Sequence, residues 1–254
     1  MTVQSSFTRA AEGAAPEGAG DQEAAAKAVQ KMFADVAPRY DLLNHVLSCN
    51  IDRLWWRRAA KTFVHILQTP GARVLDLCCG TGDMTLALRR RAGKINNQIV
   101  GADFVHSMLV RAAPKTANKK VGLLEGDALQ LPIADSTFDL VTSAFGFRNL
   151  ANYRAGLNEI HRVLRPGGEI GILDFGEPKG VLGKIYRVYF RHVLPRIGTL
   201  ISGVRGPYAY LPASVERFPE PDEMLERMRT AGFGEVSWTP YTFGIAGLYR
   251  GKKL

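Results

Sequence analysis

A short glycine-containing segment carries the first sign of chemistry in this chain. Residues 76–82 read DLCCGTG and follow an apolar run, which places them at a turn from a strand into a helix. Gly80 and Gly82 let the backbone bend tightly and let a ligand approach closely. Asp103 lies about 20 residues further on, at the end of the next predicted strand, where a carboxylate can accept both hydroxyls of a ribose. This spacing predicts a site for a cofactor that contains adenosine.

Two further positions distinguish a dinucleotide from S-adenosylmethionine. A dinucleotide fingerprint has a third glycine, three residues after the second, that lets the helix pack beneath a pyrophosphate. This chain has Thr85 there, and S-adenosylmethionine has no pyrophosphate. The third predicted strand ends in Gly126, Asp127 and Ala128, which offers a carboxylate to the adenine amino group. Asp127 alone could also be a turn residue or a helix N-cap, but the positions together predict S-adenosylmethionine.

The elements that must position these residues alternate between strand and helix. This alternation predicts a doubly wound α/β sheet, mostly parallel, in one domain with ligands at the carboxyl ends of the strands. Strands are predicted at residues 73–79, 97–104, 121–128, 138–147, 169–175, 235–242 and 245–251. Helices are predicted at residues 80–93, 107–113, 153–164 and 221–232.

Three segments lie outside this alternation. Residues 1–26 are rich in Ala, Gly, Glu and Ser without an apolar period, so we expect a disordered tail, whose first 22 residues are dispensable. Residues 27–69 form a predicted N-terminal helical cap. Residues 177–220 form an insertion after the fifth strand, in which apolar and basic positions occupy separate helical faces. That helix either packs on the sheet or faces the substrate and an anionic membrane.

Composition and charge bound the class of protein. The chain has 254 residues, of which 46% are apolar and 22% charged, the balance of a globular domain. We expect a cytoplasmic protein, because no apolar run reaches the ~18 residues of a membrane span and no secretory signal is visible. Three cysteines fit neither a disulfide framework nor a zinc site. The formal charge of +9 indicates an anionic partner or a solvated basic surface.

From about Tyr40 to its end, the chain resembles the ubiquinone/menaquinone biosynthesis C-methyltransferases. The motifs that carry the resemblance are YDxxN at 40–44 with Ser48 and Trp55, LDLCCGTGD at 75–83, AFGFRN at 144–149, RVLRPGGEIGILDF at 162–175 and YAYLPASVERFP at 208–219. The chain departs from the family pattern at Leu43, Asp52, Asp174 and Gly176.

The resemblance implies a fold and a reaction. It implies the seven-stranded sheet of class I S-adenosylmethionine-dependent methyltransferases. It also implies methyl transfer to a ring carbon of a polyprenylated quinol. Demethylmenaquinol is the first candidate and a polyprenyl methoxybenzoquinol the second. The positions that correspond to cofactor contacts, together with the two glycines, are Gly80, Thr81, Gly82, Asp103, Asp127 and Ala128.

This reaction assigns roles to residues after the fourth strand. A quinol carbon becomes nucleophilic once the adjacent hydroxyl, with a pKa near ~10, loses its proton. Arg148 is the candidate that stabilises the resulting oxyanion, unless it is a surface ion pair, and Asn149 can orient the ring oxygen. No metal is needed. The general base is open among Asp41, His45, Asp52, Asp174, Tyr208, Tyr210 and a water.

Other functions remain to be separated from this one. A nucleic-acid methyltransferase is disfavoured for two reasons. Enzymes that methylate amino groups of bases typically have a Pro-Pro-aromatic motif after the fourth strand, where this chain has SAFGFRN. Enzymes that methylate cytosine C5 need a nucleophilic cysteine near there, and no cysteine follows Cys79. A small-molecule O- or N-methyltransferase and a non-catalytic adenosyl-ligand sensor would share the cofactor half. We expect as partners the quinol substrate and the inner face of an anionic membrane, and a homodimer stays open.

Overall fold

A twisted sheet of seven strands organises the molecule. The computed structural model describes residues 12–16, 18–40, 50–178, 180, 183 and 206–254. The strands lie in the order β3-β2-β1-β4-β5-β7-β6, in which β1 to β5 are parallel and β7 is antiparallel to both neighbours. Their bounds are β1 Arg73–Leu77, β2 Gln98–Asp103, β3 Val121–Glu125, β4 Phe138–Ala144, β5 Leu164–Phe175, β6 Phe233–Tyr241 and β7 Ala246–Lys253.

Helices cover both faces of the sheet. In the described part of the chain they are α1 Gln22–Val36, α2 Ile51–Thr62, α3 Val64–Leu67, α4 Asp83–Ala92, α5 His106–Thr116, α6 Tyr153–Val163, α7 Gly206–Arg217 and α8 Pro221–Thr230. Short 3-10 turns span Ala37–Arg39, Phe147–Asn149 and Thr242–Gly244. Among the described residues, no helix has the length and apolar character needed to cross a membrane.

Alternate residues of the central strands enter two separate cores. In β1, Leu75 joins the core beneath α6 and α8, whereas Val74 joins the core beneath α2 and α4. Both residues are fully buried, as expected of a parallel strand covered on its two faces. The structure therefore confirms the predicted doubly wound sheet.

The N-terminal segment differs from the expected disordered tail. Helix α1 begins at Gln22, and the Asp21 side chain caps it by accepting a hydrogen bond from the Ala24 N–H (2.8 Å). Ala14 is buried, and its N–H donates to the Leu150 carbonyl (2.8 Å). A Cβ on Gly13 would lie 2.1 Å from that carbonyl oxygen, so only glycine fits this close approach. Small residues thus pack where a search for large apolar residues finds nothing, and the expected boundary at residue 26 is too late.

The insertion predicted for 177–220 is described only in part. Its described residues are 177, 178, 180, 183 and 206–220, and they include α7. The basic positions Lys184, Arg187 and Arg191 lie outside the described residues.

Candidate active site

A cavity opens where β1, β2, β3 and β4 end. Its wall comes from the loops that follow these strands, and the N-terminal segment also contributes to it. The lining residues after the strands are Leu77, Cys78, Gly80, Asp103, Phe104, Val105, Met108, Gly126, Asp127, Ala128, Leu129, Ala144, Phe145, Gly146, Asn149, Leu150 and Ala151. Those from the N-terminal segment are Ala26, Val29, Phe33 and Tyr40.

Asp103 is a polar group of this wall that backbone N–H groups hold in place. Its Oδ2 accepts a hydrogen bond from the Gly80 N–H (2.8 Å), and its Oδ1 accepts one from the Val105 N–H (2.9 Å). Gly80 has a φ of +55°, a left-handed conformation that brings its N–H to the carboxylate. Burial raises the pKa of Asp103, although the backbone hydrogen bonds oppose that rise. The turn after β1 and the end of β2 are thereby joined at one carboxylate.

Asp76, the acid of the DLCCGTG segment, lies beneath the wall and does not line it. It is fully buried and accepts hydrogen bonds from the hydroxyls of Thr85 (2.6 Å) and Thr142 (2.9 Å). Burial raises the pKa of Asp76 to about 7. Thr85, which replaces the third glycine of a dinucleotide site, thus links α4 to β1.

Asp127 and Ala128 lie in the wall at the end of β3, as predicted. The Asp127 Oδ1 accepts a hydrogen bond from the Leu129 N–H (2.9 Å), so the carboxylate also fixes its own turn. The position of Asp127 is therefore compatible with both interpretations: a residue that fixes its turn, and a carboxylate that faces the cavity and can accept the adenine amino group. Ala128 is buried beside it.

Thr81 and Gly82, also expected to contact the cofactor, are not among the lining residues. Thr81 is buried, and its hydroxyl accepts a hydrogen bond from the Lys115 ammonium (3.1 Å). Gly82 has a φ of +87° and caps α4, where a Cβ would touch Ala112 of α5 at 3.5 Å. These two residues shape the loop that presents Gly80.

Arg148 occupies a different position from the one expected of a free cation facing substrate. Its side chain is buried, and it does not line the cavity. The Arg148 Nη1 donates to Asp174 Oδ1 (2.9 Å) and to the Phe145 carbonyl, while the Arg148 N–H donates to Asp174 Oδ2 (3.1 Å). The guanidinium also lies over the Phe175 ring, 5.2 Å from its centroid. A buried cation requires such a partner, because an unpaired charge in the interior is strongly unfavourable.

Three polar atoms near this ion pair have no hydrogen-bond partner in the described part of the chain. They are Asn149 Oδ1, Arg148 Nε and the Tyr210 hydroxyl. Asn149 lines the cavity, and Tyr210 belongs to α7, which packs against the Phe147–Asn149 turn. A buried polar atom left without a partner costs about 1–3 kcal/mol, so this cluster indicates a place where a polar ligand binds.

The structure also narrows the candidates for the general base. Asp174 is held in the ion pair with Arg148. Asp52 is buried in α2, where its Oδ1 accepts from the Arg53 N–H (2.7 Å). Burial raises the pKa of Tyr210 to about 12, which keeps its phenol protonated at neutral pH. Asp41, His45 and the side chain of Tyr208 lie outside the described residues.

Sequence reasoning missed the N-terminal and aromatic parts of the wall. Val29 and Phe33 of α1 line the cavity, and the Gln30 side chain ties α1 to the Phe104 carbonyl (2.8 Å). Phe145 has a φ of +58°, a strained conformation for a bulky residue at the end of β4. A Cβ on Gly146 would lie 2.3 Å from the Cβ of Cys78, so Gly146 must stay glycine. The helical period of α1 was visible in the sequence, but its packing partner was not.

The sheet, the Gly80 turn and the carboxylate at the end of β2 define the fold of class I S-adenosylmethionine-dependent methyltransferases. Within that class, residues 21–253 match the ubiE/COQ5 methyltransferase family, and the chain belongs to this family. The resemblance found in the sequence is thereby confirmed.

Two relatives and one solved structure are similar over most of their length. The demethylmenaquinone methyltransferase of Deinococcus radiodurans is 50% identical over 237 residues, 92% of this chain and 96% of that protein. The ubiquinone/menaquinone biosynthesis C-methyltransferase UbiE of Geobacter sulfurreducens is 42% identical over 89% of this chain and 88% of that protein. A methyltransferase structure from Thermotoga maritima has a TM-score of 0.62 at 20% identity, covers 89% of this chain and 100% of its own, and supports the fold alone.

Proposed function

We propose that this protein transfers the methyl group of S-adenosylmethionine to a ring carbon of demethylmenaquinol. The observation that carries the proposal is the near-full-length similarity to the Deinococcus radiodurans demethylmenaquinone methyltransferase. A second relative with this name, from Thermus thermophilus, is 48% identical over 87% of this chain and 100% of that protein. The cavity described above offers candidate contacts for the cofactor and for the quinol ring.

The wall at β1 to β3 fits the cofactor. The Asp103 carboxylate accepts backbone hydrogen bonds from Gly80, Val105 and Phe104, and its about four lone-pair sites leave room to accept a ribose hydroxyl as well. Gly80 leaves the approach to that carboxylate free of a side chain. Asp127 can accept the adenine amino group, with Ala128 beside it. When bound, S-adenosylmethionine supplies an electrophilic methyl group on its sulfonium.

The wall at β4 fits the quinol. Asn149 Oδ1 lacks a partner in the described residues and lines the cavity, so it can accept a hydrogen bond from the ring hydroxyl and orient it. Tyr210 lies outside the lining residues, near the Arg148–Asp174 pair. Its phenol is protonated and has no partner in that same part of the chain, so it can donate a hydrogen bond to a ring oxygen that reaches it. The Asn149 contact aligns the carbon next to the hydroxyl for attack. The Tyr210 O–H, as a donor, stabilises the phenolate.

Arg148 supports this arrangement in a way that the sequence did not predict. Its charge is balanced by Asp174, and it holds the Phe145 carbonyl and the turn that carries Asn149. We assign Arg148 a positioning role: it acts mainly by holding the turn that carries Asn149, and less by stabilising the oxyanion directly. We call the end of the cavity that carries Asn149 the reaction end, and the end that carries Asp103 and Asp127 the cofactor end. The Arg148–Asp174 pair keeps the reaction end in shape.

A methyl-transfer assay tests the proposed reaction. Purified protein, labelled S-adenosylmethionine and a short-chain demethylmenaquinone are incubated with and without a chemical reductant, because only the reduced ring carbon is nucleophilic. We expect label in the naphthoquinol ring when the reductant is present and none in its absence. Label transferred instead to tRNA, or to the oxygen of small phenols, would contradict the proposal.

A methoxybenzoquinol is the second candidate substrate, because the Geobacter sulfurreducens relative is named for both ubiquinone and menaquinone synthesis. The same assay with both quinols gives a ratio of kcat/KM values. We expect the naphthoquinol to have the higher value, and the reverse order would assign the protein to the benzoquinol.

We also propose that the protein acts at the surface of an anionic membrane. The isoprenoid tail of the substrate keeps it in the bilayer, and the formal charge of +9 favours association with anionic lipid. A homodimer stays a prediction, which light scattering can test.

A further inference from the structure

The outward face of α2 combines exposed apolar and basic side chains. Leu54 is 59% exposed and Ile51 is 37% exposed, although both are large apolar residues. Arg53, Arg57 and Lys61 are exposed on the same helix. With Phe243 from the neighbouring turn, these residues form what we call the α2 face: Ile51, Arg53, Leu54, Arg57, Lys61 and Phe243.

The charge on the α2 face is of one sign. Asp52, the acid of this helix, is buried on the opposite side, where Trp55 and Trp56 pack into the core. Arg57 and Lys61 make no ion pair within the part of the chain that the structure describes. A cationic surface with projecting apolar side chains is suited to a partner that offers both negative charge and an apolar phase.

The Thr242–Gly244 turn holds Phe243 away from the protein. Phe243 is 82% exposed and has a φ of +58°, while Thr242 has a φ of +45°. The Trp55 Nε1–H donates to the Thr242 hydroxyl (2.8 Å), which fastens the turn to α2. Phe243, Ile51 and Leu54 together give the α2 face three exposed large apolar side chains, and a group of such side chains is typical of an interaction surface.

The α2 face lies next to the reaction end of the cavity. The Trp55 ring, on the inner side of α2, is 5.7 Å from the ring of Phe145 and 6.2 Å from that of Phe175, measured between centroids. Phe145 lines the cavity. One aromatic cluster therefore separates the α2 face from the place assigned to the quinol ring.

We propose that the α2 face docks on an anionic lipid bilayer, with Phe243 and Leu54 entering the interface and the basic side chains contacting lipid phosphates. The inference assigns the proposed membrane contact to the α2 face, and in that respect it rests on the proposed function. A bilayer fits the α2 face better than a nucleic acid does, because apolar side chains project among its basic side chains. Docking in this orientation brings the reaction end of the cavity to the membrane that contains the isoprenoid substrate.

Vesicle binding without substrate or cofactor tests the α2 face independently of activity. The full chain is sedimented with phosphatidylcholine vesicles, with and without phosphatidylglycerol. The variants are Arg57→Glu with Lys61→Glu, and Phe243→Ser. Matched controls come from α5 and the turn after it, where Val110 is 57% exposed and Arg111 and Lys119 are also exposed. The control variants are Arg111→Glu with Lys119→Glu, and Val110→Ser. Thermal melting shows that each variant is folded.

We expect the double charge reversal on α2 to lower partitioning into anionic vesicles at least about tenfold. Phe243→Ser should lower it several-fold, while the α5 control variants bind as the wild type does. Equal binding by the α2 variants, equal losses in the α5 controls or no vesicle binding by the wild type would overturn the proposal. Binding to RNA in place of vesicles, lost on the same α2 substitutions, would also overturn it. Because no methyl transfer is measured, a wrong substrate leaves this result unaffected.

Discussion

The two ends of the cavity satisfy their polar groups in opposite ways. At the cofactor end, Asp103 and Asp127 accept hydrogen bonds from backbone N–H groups, Asp103 from its own loop and from the turn after β1, and Asp127 from its own loop. At the reaction end, Asn149 Oδ1 and the Tyr210 hydroxyl lack partners among the described residues. The difference indicates that the cofactor end is preformed by the backbone, whereas the reaction end is completed by the substrate.

The largest expected effect comes from the ion pair behind the reaction end. Arg148→Met leaves Asp174 buried without its cation, so we expect the free energy of unfolding to fall by about 3–5 kcal/mol together with turnover. Replacing both partners, as Arg148→Met with Asp174→Leu, should recover much of the stability but not the turnover. Denaturant unfolding and single-turnover kinetics measure the two quantities. Full turnover in the double variant would show that the pair does not position the site.

The next effect concerns the preformed cofactor end. Asp103→Ala removes the acceptor proposed for the ribose hydroxyls, and each charge-assisted hydrogen bond contributes about 1.5–3 kcal/mol. We expect weaker S-adenosylmethionine binding by calorimetry and unchanged quinol affinity. A control is Asp139→Ala, which removes a partly buried carboxylate that accepts from the Arg73 N–H and pairs with Arg165 at the other end of β1. Unchanged cofactor affinity in Asp103→Ala would contradict the assignment of this end.

The smallest effect is expected at the N-terminal segment, which precedes the α1 part of the wall. Arg154 forms a bidentate ion pair with Glu12, and both groups are partly exposed. Arg154→Gln should lower stability by under about 1 kcal/mol and speed the release of cofactor measured by stopped flow. Arg229→Gln, which breaks the exposed pair with Glu226, is the control. Equal release rates in both variants would mean that the segment does not hold the cavity closed.

The parts that the sequence predicted are those that local chemistry decides. The strands follow from apolar runs between turns, and Asp103 and Asp127 follow from their place at strand ends. The pairing of Arg148 was missed because Asp174 lies on another strand, and side-chain direction cannot be read from spacing. The contribution of α1 to the wall was missed for a related reason: Phe33 packs against residues that follow β2, and such contacts form only in the folded chain.

Asn149 tests most directly whether the substrate completes the reaction end, because Asn152 is a matched control three residues away. Asn152 caps α6 by accepting from the Ala155 N–H (2.9 Å), whereas Asn149 Oδ1 lacks a partner in the described residues. We predict that Asn149→Ala lowers kcat by about 10², because the ring hydroxyl loses the acceptor that orients it, while the melting temperature and S-adenosylmethionine affinity stay at the wild-type level. Asn152→Ala should instead cost about 1 kcal/mol of stability and keep kcat. Normal turnover in Asn149→Ala, or a loss of stability equal to that of Asn152→Ala, would contradict the account.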